Sequence, residues 1–166
     1  LFLHTNSMLG RSNEYQAECV SEFPGRILSM AHVDECRIHT EVDDVIADLT
    51  NAIQNLGLHA IKFNSTGYRV SPQPWDDGPY RPFWEAATAL GVPVFFTLCL
   101  GPARPREAEP DDDGRNGYLR ELGILMRWME RYPDTPVGIT HGFPWRVFME
   151  GDGFALPDEI WKPFEN

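Results

Sequence analysis

The sequence predicts an α/β fold in which parallel strands alternate with helices, built as a partial (β/α)8 barrel. Three observations predict it. A strand-like apolar run followed by an amphipathic helix recurs roughly five times along the chain. Val92-Pro93-Val94-Phe95-Phe96-Thr97-Leu98 is almost wholly apolar, as a strand covered on both faces must be. No Gly-x-Gly-x-x-Gly and no P-loop follow the early strands, and a doubly wound nucleotide fold would carry one of them.

The elements follow in order. Leu1 to His4 is a short apolar strand that ends in Thr5-Asn6-Ser7. Ser12 caps a helix over residues 13–23, with Tyr15, Cys19, Val20 and Phe23 on one face, and Pro24-Gly25 ends it. Residues 26–33 form the next strand. Thr40 is the expected cap of the helix that carries Val42, Val45, Ile46, Leu49, Ile53 and Leu56, whose spacing is the clearest amphipathic signal in the chain. Asp43 and Asp44 in its first turn suit the helix dipole. Gly57 stops this helix, and residues 60–64 form a strand.

A Pro- and Gly-rich loop, residues 71–79, leads to a helix with Phe83, Trp84, Ala87 and Leu90. The strand at 92–98 follows, with Pro93 tolerated near its start. After a long loop bearing Asp111-Asp112-Asp113, a helix over residues 117–132 is expected to bury Leu119, Leu122, Leu125, Met126 and Met129. Val137 opens a short strand, expected to be buried, that runs into Thr140-His141-Gly142. Pro157 suits a helix N1 position, with Asp158 and Glu159 behind it.

Composition narrows the function. A formal net charge of −11 lacks the positive footprint that non-specific nucleic-acid binding needs. No apolar run approaches the roughly 20 residues of a membrane span. The three cysteines, Cys19, Cys36 and Cys99, form no Cys-x-x-Cys pair, which suits a reducing, cytoplasmic setting. Leu1-Phe2-Leu3 lacks the basic leader of a signal peptide, and without an initiator Met the chain reads as a segment.

Side chains at the C-terminal ends of parallel strands sit at the mouth of such folds, where chemistry is done. His141 is the leading candidate: a proton-transfer group, or else a strand-end imidazole bonded to backbone. Lys62 stands in an apolar strand, so its ammonium needs a partner. It either points into the mouth to bind a substrate carboxylate or snorkels outward. Asn64 shares its face. Thr97 is a mouth-facing hydrogen bonder or a packed residue, and a poor zinc ligand. Trp145 and Arg146 line a pocket for a planar or anionic substrate, although Trp145 could equally pack over the barrel top. His32 with Asp34 reads as a solvated strand end, and His39 and His59 as surface residues. Cys99 has no base beside it, and the Asp111 triplet reads as a solvated loop.

The run from Pro82 to Phe96, Pro-Phe-Trp-Glu-Ala-Ala-Thr-Ala-Leu-Gly-Val-Pro-Val-Phe-Phe, resembles the amidohydrolase-2 group of amidohydrolase-superfamily barrels. The passage Arg131-Tyr132-Pro133-Asp134 through Ile139-Thr140-His141-Gly142 and the segment Ala60-Ile61-Lys62-Phe63 are similar to it too. The resemblance makes the chain one middle segment, residues 1–166, covering barrel strands two to six and lacking strand one and strands seven and eight. It implies a metal-dependent hydrolase or non-oxidative decarboxylase with a small carboxylated or aromatic substrate, with His141 as the proton-transfer or polarising residue. It also implies a divalent metal, zinc or manganese. The family's His-x-His is not present, and Thr97 stands where the family has a strand-five His. The alternative is a non-catalytic barrel remnant that binds or supports a partner. A segment of this kind leaves two sheet edges open, which predicts either marginal stability or self-association into a homo-oligomer.

Overall fold

The computed structural model describes residues 2–4, 12–65, 74–98, 115–142, 148–154 and 158–162. Five strands form one sheet: β1 (Phe2–His4), β2 (Ile27–His32), β3 (Ala60–Asn64), β4 (Val94–Thr97) and β5 (Val137–Ile139). They lie side by side in chain order, and every neighbouring pair is parallel. The helices between them are α1 (Asn13–Glu22), α2 (Val42–Gln54), α3 (Tyr80–Ala89) and α4 (Arg115–Arg131). A small antiparallel ribbon, β6 (Met149–Glu150) with β7 (Gly153–Phe154), and a short helix α5 (Asp158–Trp161) follow. Strand-helix repetition with sequential parallel pairing is the architecture the sequence predicts.

Period-two alternation sorts each strand into two faces. Ala31, Ile61, Phe63, Val94 and Phe96 belong to one buried cluster with Leu49, Trp84, Leu125 and Trp128 of the helices, so these residues define the helix-facing side. Aromatic rings fill it: Phe63 lies 4.7 Å from Trp84, and Trp128 lies 5.0 Å from Phe96, in tilted and edge-on arrangements that rings prefer. The remaining parity, His32, Lys62, Asn64, Phe95, Thr97, Gly138 and Thr140, belongs to the opposite, inner face. Register agrees, because His32 pairs with Lys62, Lys62 with Phe95, Asn64 with Thr97 and Phe95 with Gly138.

The loop before α3 is fastened to α4. Asp76, almost fully buried, receives both Nε and Nη2 of Arg127, at 3.0 and 3.1 Å. Arg131 donates to the Asp76 carbonyl, and the Trp75 indole donates to Glu121 at 2.7 Å. Fork geometry of this kind fixes orientation as well as charge.

Several local expectations are corrected. Ser12 does cap α1, accepting from the Tyr15 amide, but the helix buries Gln16, while Phe23 lies beyond its end and is 46% exposed. The α1 apolar stripe is too weak to turn Phe23 inward. Thr40 is not the cap of α2. A turn closed by Glu41 N–H to the Arg37 carbonyl, at 2.7 Å, precedes the helix, and the Thr40 hydroxyl donates back to Arg37 instead. In α4, Leu122 and Leu125 are buried as expected, together with Tyr118 and Trp128, whereas Leu119, Met126 and Met129 only flank the core. β5 is half-buried, because β4 covers it on one side only. His39 is not a surface residue: its Nδ1 is buried. Cys99, the Asp111 triplet and Pro157 lie outside the described residues.

Candidate active site at the strand ends

The inner face carries a buried cation at its centre. Lys62, 3% exposed, sends its ammonium along the sheet to the neighbouring strand ends. It donates to the Thr140 hydroxyl at 2.6 Å and to the Thr97 hydroxyl. The two hydroxyls lie 2.7 Å apart, and Thr140 also reaches the Phe96 carbonyl at 2.9 Å. β3, β4 and the residue just after β5 therefore each supply one side chain to a single cluster. The sequence left Lys62 pointing either inward or outward, and the structure turns it inward.

A carboxyl stands near this cation. Glu35, in the loop after β2, is 4% exposed, and its Oε1 accepts the Asn64 amide at 2.7 Å. Burial pushes the carboxyl up to about 7, against the opposing hydrogen bonds and the Lys62 charge. Burial likewise lowers Lys62 to about 8, with Glu35 pulling the other way. The two feel each other electrostatically yet form no ion pair. Among the described residues no carboxylate pairs with Lys62, and its hydrogen-bond partners are neutral hydroxyls.

The other candidates take separate places. Asn64 shares the inner face, half-buried, with its backbone amide committed to Glu35. Thr97 is a hydrogen bonder to Lys62. His141 is exposed and follows Thr140 directly, but its imidazole makes no hydrogen bond among the described residues. Its φ is 70°, the left-handed region, where it is the one non-glycine residue among those described. Trp145 and Arg146 lie outside the described residues. His32 is half-buried, its backbone gripped from both sides by the Asn13 amide at 2.8 and 3.2 Å. It lines a cleft of about 280 Å³ with Asn13, Asp34 and Asp48, between α1 and α2.

Sequence reasoning missed Glu35 and Thr140. Glu35 sits in Asp34-Glu35-Cys36, which looks like a solvated turn, and its only signal is its place just after a strand end. Thr140 was visible through parity: two residues beyond Gly138, it must share the inner face.

The described residues do not fit the divalent metal that the resemblance implies. No group of three or more His, Cys, Asp or Glu among them could hold an ion. The side chains that converge are an ammonium, which repels a divalent cation, and two hydroxyls, which bind zinc poorly.

Comparison with known proteins gives the class. The chain belongs to the Amidohydrolase family, whose profile matches residues 5–162, and its sheet is part of that family's (β/α)8 barrel. Among solved structures, a dihydroxybenzoic acid decarboxylase from Polaromonas sp. JS666, with bound manganese and the inhibitor 2-nitroresorcinol, superimposes with a TM-score of 0.59. It is 22% identical and aligns over 92% of this chain and 52% of its own. The 2,6-dihydroxybenzoate decarboxylase from Rhizobium gives 0.55 at 21% identity, over 76% of this chain and 42% of its own. The 5-carboxyvanillate decarboxylase from Sphingomonas paucimobilis gives 0.53 at 19%, over 76% and 38%. The chain thus spans about half the length, or less, of these structures. No curated protein matches it. No helix among the described residues is long and apolar enough to cross a membrane.

Proposed function

We propose that this chain forms part of an enzyme that decarboxylates or hydrolyses a small carboxylated, aromatic compound, with Lys62 holding the substrate carboxylate. The observation that carries this reading is the buried ammonium itself. A desolvated cation with only neutral partners gains most from an anionic ligand, and a carboxylate supplies it through charge-assisted hydrogen bonds. Thr97 and Thr140 fix the direction in which Lys62 donates. Asn64 and Phe95 flank it on the same face. The decarboxylases of similar fold are named for hydroxylated benzoates or a carboxyvanillate, which supports an aromatic acid.

His141 would exchange the proton at the reacting carbon or leaving group. Its backbone lies in the left-handed region, which is uncommon outside glycine and marks this strand-end position as one to test. Manganese is bound in the Polaromonas structure, whereas the described residues of this chain offer no ligand set for one.

The test is turnover of 2,6-dihydroxybenzoate by the full chain, followed as released carbon dioxide. His141→Asn, which tolerates the left-handed backbone, should lower kcat by about 10²-fold or more with little change in KM. Lys62→Met should raise KM at least tenfold. Undiminished turnover in His141→Asn would remove its assignment. The donor set favours one rival, a protein that binds such an acid without turning it over. Tight binding by wild type with no released carbon dioxide would establish it.

A further inference from the structure

We propose that a monocarboxylate enters this site together with a proton, which is taken up by Glu35. The inference rests on the reading of Lys62 as the carboxylate-binding group and adds a role for a residue outside it.

The geometry sets up the coupling. Lys62 and Glu35 are both buried and lie about the end of β3: Glu35 accepts the Asn64 amide, and Thr97, the register partner of Asn64, bonds the Lys62 ammonium. They do not pair, so neither neutralises the other by contact. Glu35 Oε1 accepts from the Asn64 amide, and the carboxyl also bonds its own backbone amide. A protonated carboxyl adds a donor to this place, while an ionised one adds only negative charge. An incoming carboxylate is drawn by the Lys62 ammonium and repelled by an ionised Glu35. It binds best when Lys62 carries its proton and Glu35 carries one as well.

The groups around Glu35 act on it in opposite directions. Asp34 beside it adds negative charge, and Lys62 opposes with positive charge. His32 and Cys36 lie nearby: burial lowers the imidazole and raises the thiol, and Asp34 acts on both. Burial outweighs Lys62, so the carboxyl titrates at about 7, within reach of a ligand's influence. A bound anion disfavours the ionised form and raises that value further. Just above neutrality, binding must therefore draw a proton from solvent.

The experiment is calorimetric titration of the full chain with benzoate at pH 7.5, in phosphate and in Tris, whose ionisation enthalpies differ. Wild type should take up about 0.5–1 proton per benzoate, and its Kd should rise by up to about tenfold from pH 7 to pH 8. Glu35→Gln keeps an oxygen for the Asn64 amide. It should bind benzoate with clearly less proton uptake and a flatter pH profile. Equal uptake in Glu35→Gln, or no uptake in wild type, overturns the inference and leaves Lys62 standing. Benzoate bound equally by wild type and Lys62→Met, or by neither, overturns the reading beneath it.

Discussion

Lys62 Nζ lies 2.6 Å from the hydroxyl of Thr140, a residue 78 positions further along the chain. The contact spans two strand intervals and closes a cluster whose third member, Thr97, belongs to the strand between them. The two hydroxyls and the ammonium thus sit on the face of the sheet opposite the aromatic core.

Removing the ammonium should change how stability depends on pH. The folded Lys62 titrates at about 8 against an ordinary 10.5. Between these values the unfolded chain binds more protons, so wild-type stability rises with pH across that window. Lys62→Met should flatten the rise, by on the order of 2 kcal/mol, in thermal melts taken between pH 7.5 and 10.5. An identical slope in both proteins would show that the amine is not desolvated.

Glu35 shifts the other way. Its folded value near 7 exceeds the ordinary 4.5, so its contribution is complete below about 4.5 and is lost as pH rises through 7. Glu35→Gln should gain on wild type by on the order of 2–3 kcal/mol across that interval. Denaturant midpoints at pH 5 and pH 8 measure the difference. A constant offset would contradict it.

The Asp76 carboxylate depends on Arg127. Arg127→Met leaves that buried charge unanswered and should cost about 2–4 kcal/mol in urea unfolding. Adding Asp76→Asn to the same protein should recover much of the loss. If the double variant is no better than the single, the pairing is not what holds the loop.

Gly138 has no room for a side chain. A Cβ built there would lie 2.5 Å from Phe95 Cδ1 and 2.6 Å from Cε1. Gly138→Ala should displace the Phe95 ring and destabilise by about 1–3 kcal/mol, read as a lowered Tm. Phe95→Leu in the same chain should relieve part of it.

Much of this arrangement was legible in sequence. Strand-helix alternation located all five parallel strands, because apolar periodicity reports burial directly. The site was legible in part. Lys62 stood out as a charge in an apolar strand, and Asn64 and Thr97 follow from parity. Glu35 did not stand out, since only tertiary packing removes a loop carboxyl from water. His141 was read at the strand end, and β5 stops two residues earlier, at Ile139, leaving His141 exposed in the turn that follows. Which way a side chain points after a strand ends depends on local dihedrals that periodicity does not encode.

The strand order carries a consequence for synthesis. Each strand pairs with the one translated just before it, so the sheet can grow by accretion as the chain leaves the ribosome. Lys62 is made early, but its hydroxyl partners arrive with β4 and just after β5. Until then its amine can stay hydrated, and the cost of dehydrating it falls on the docking of β5.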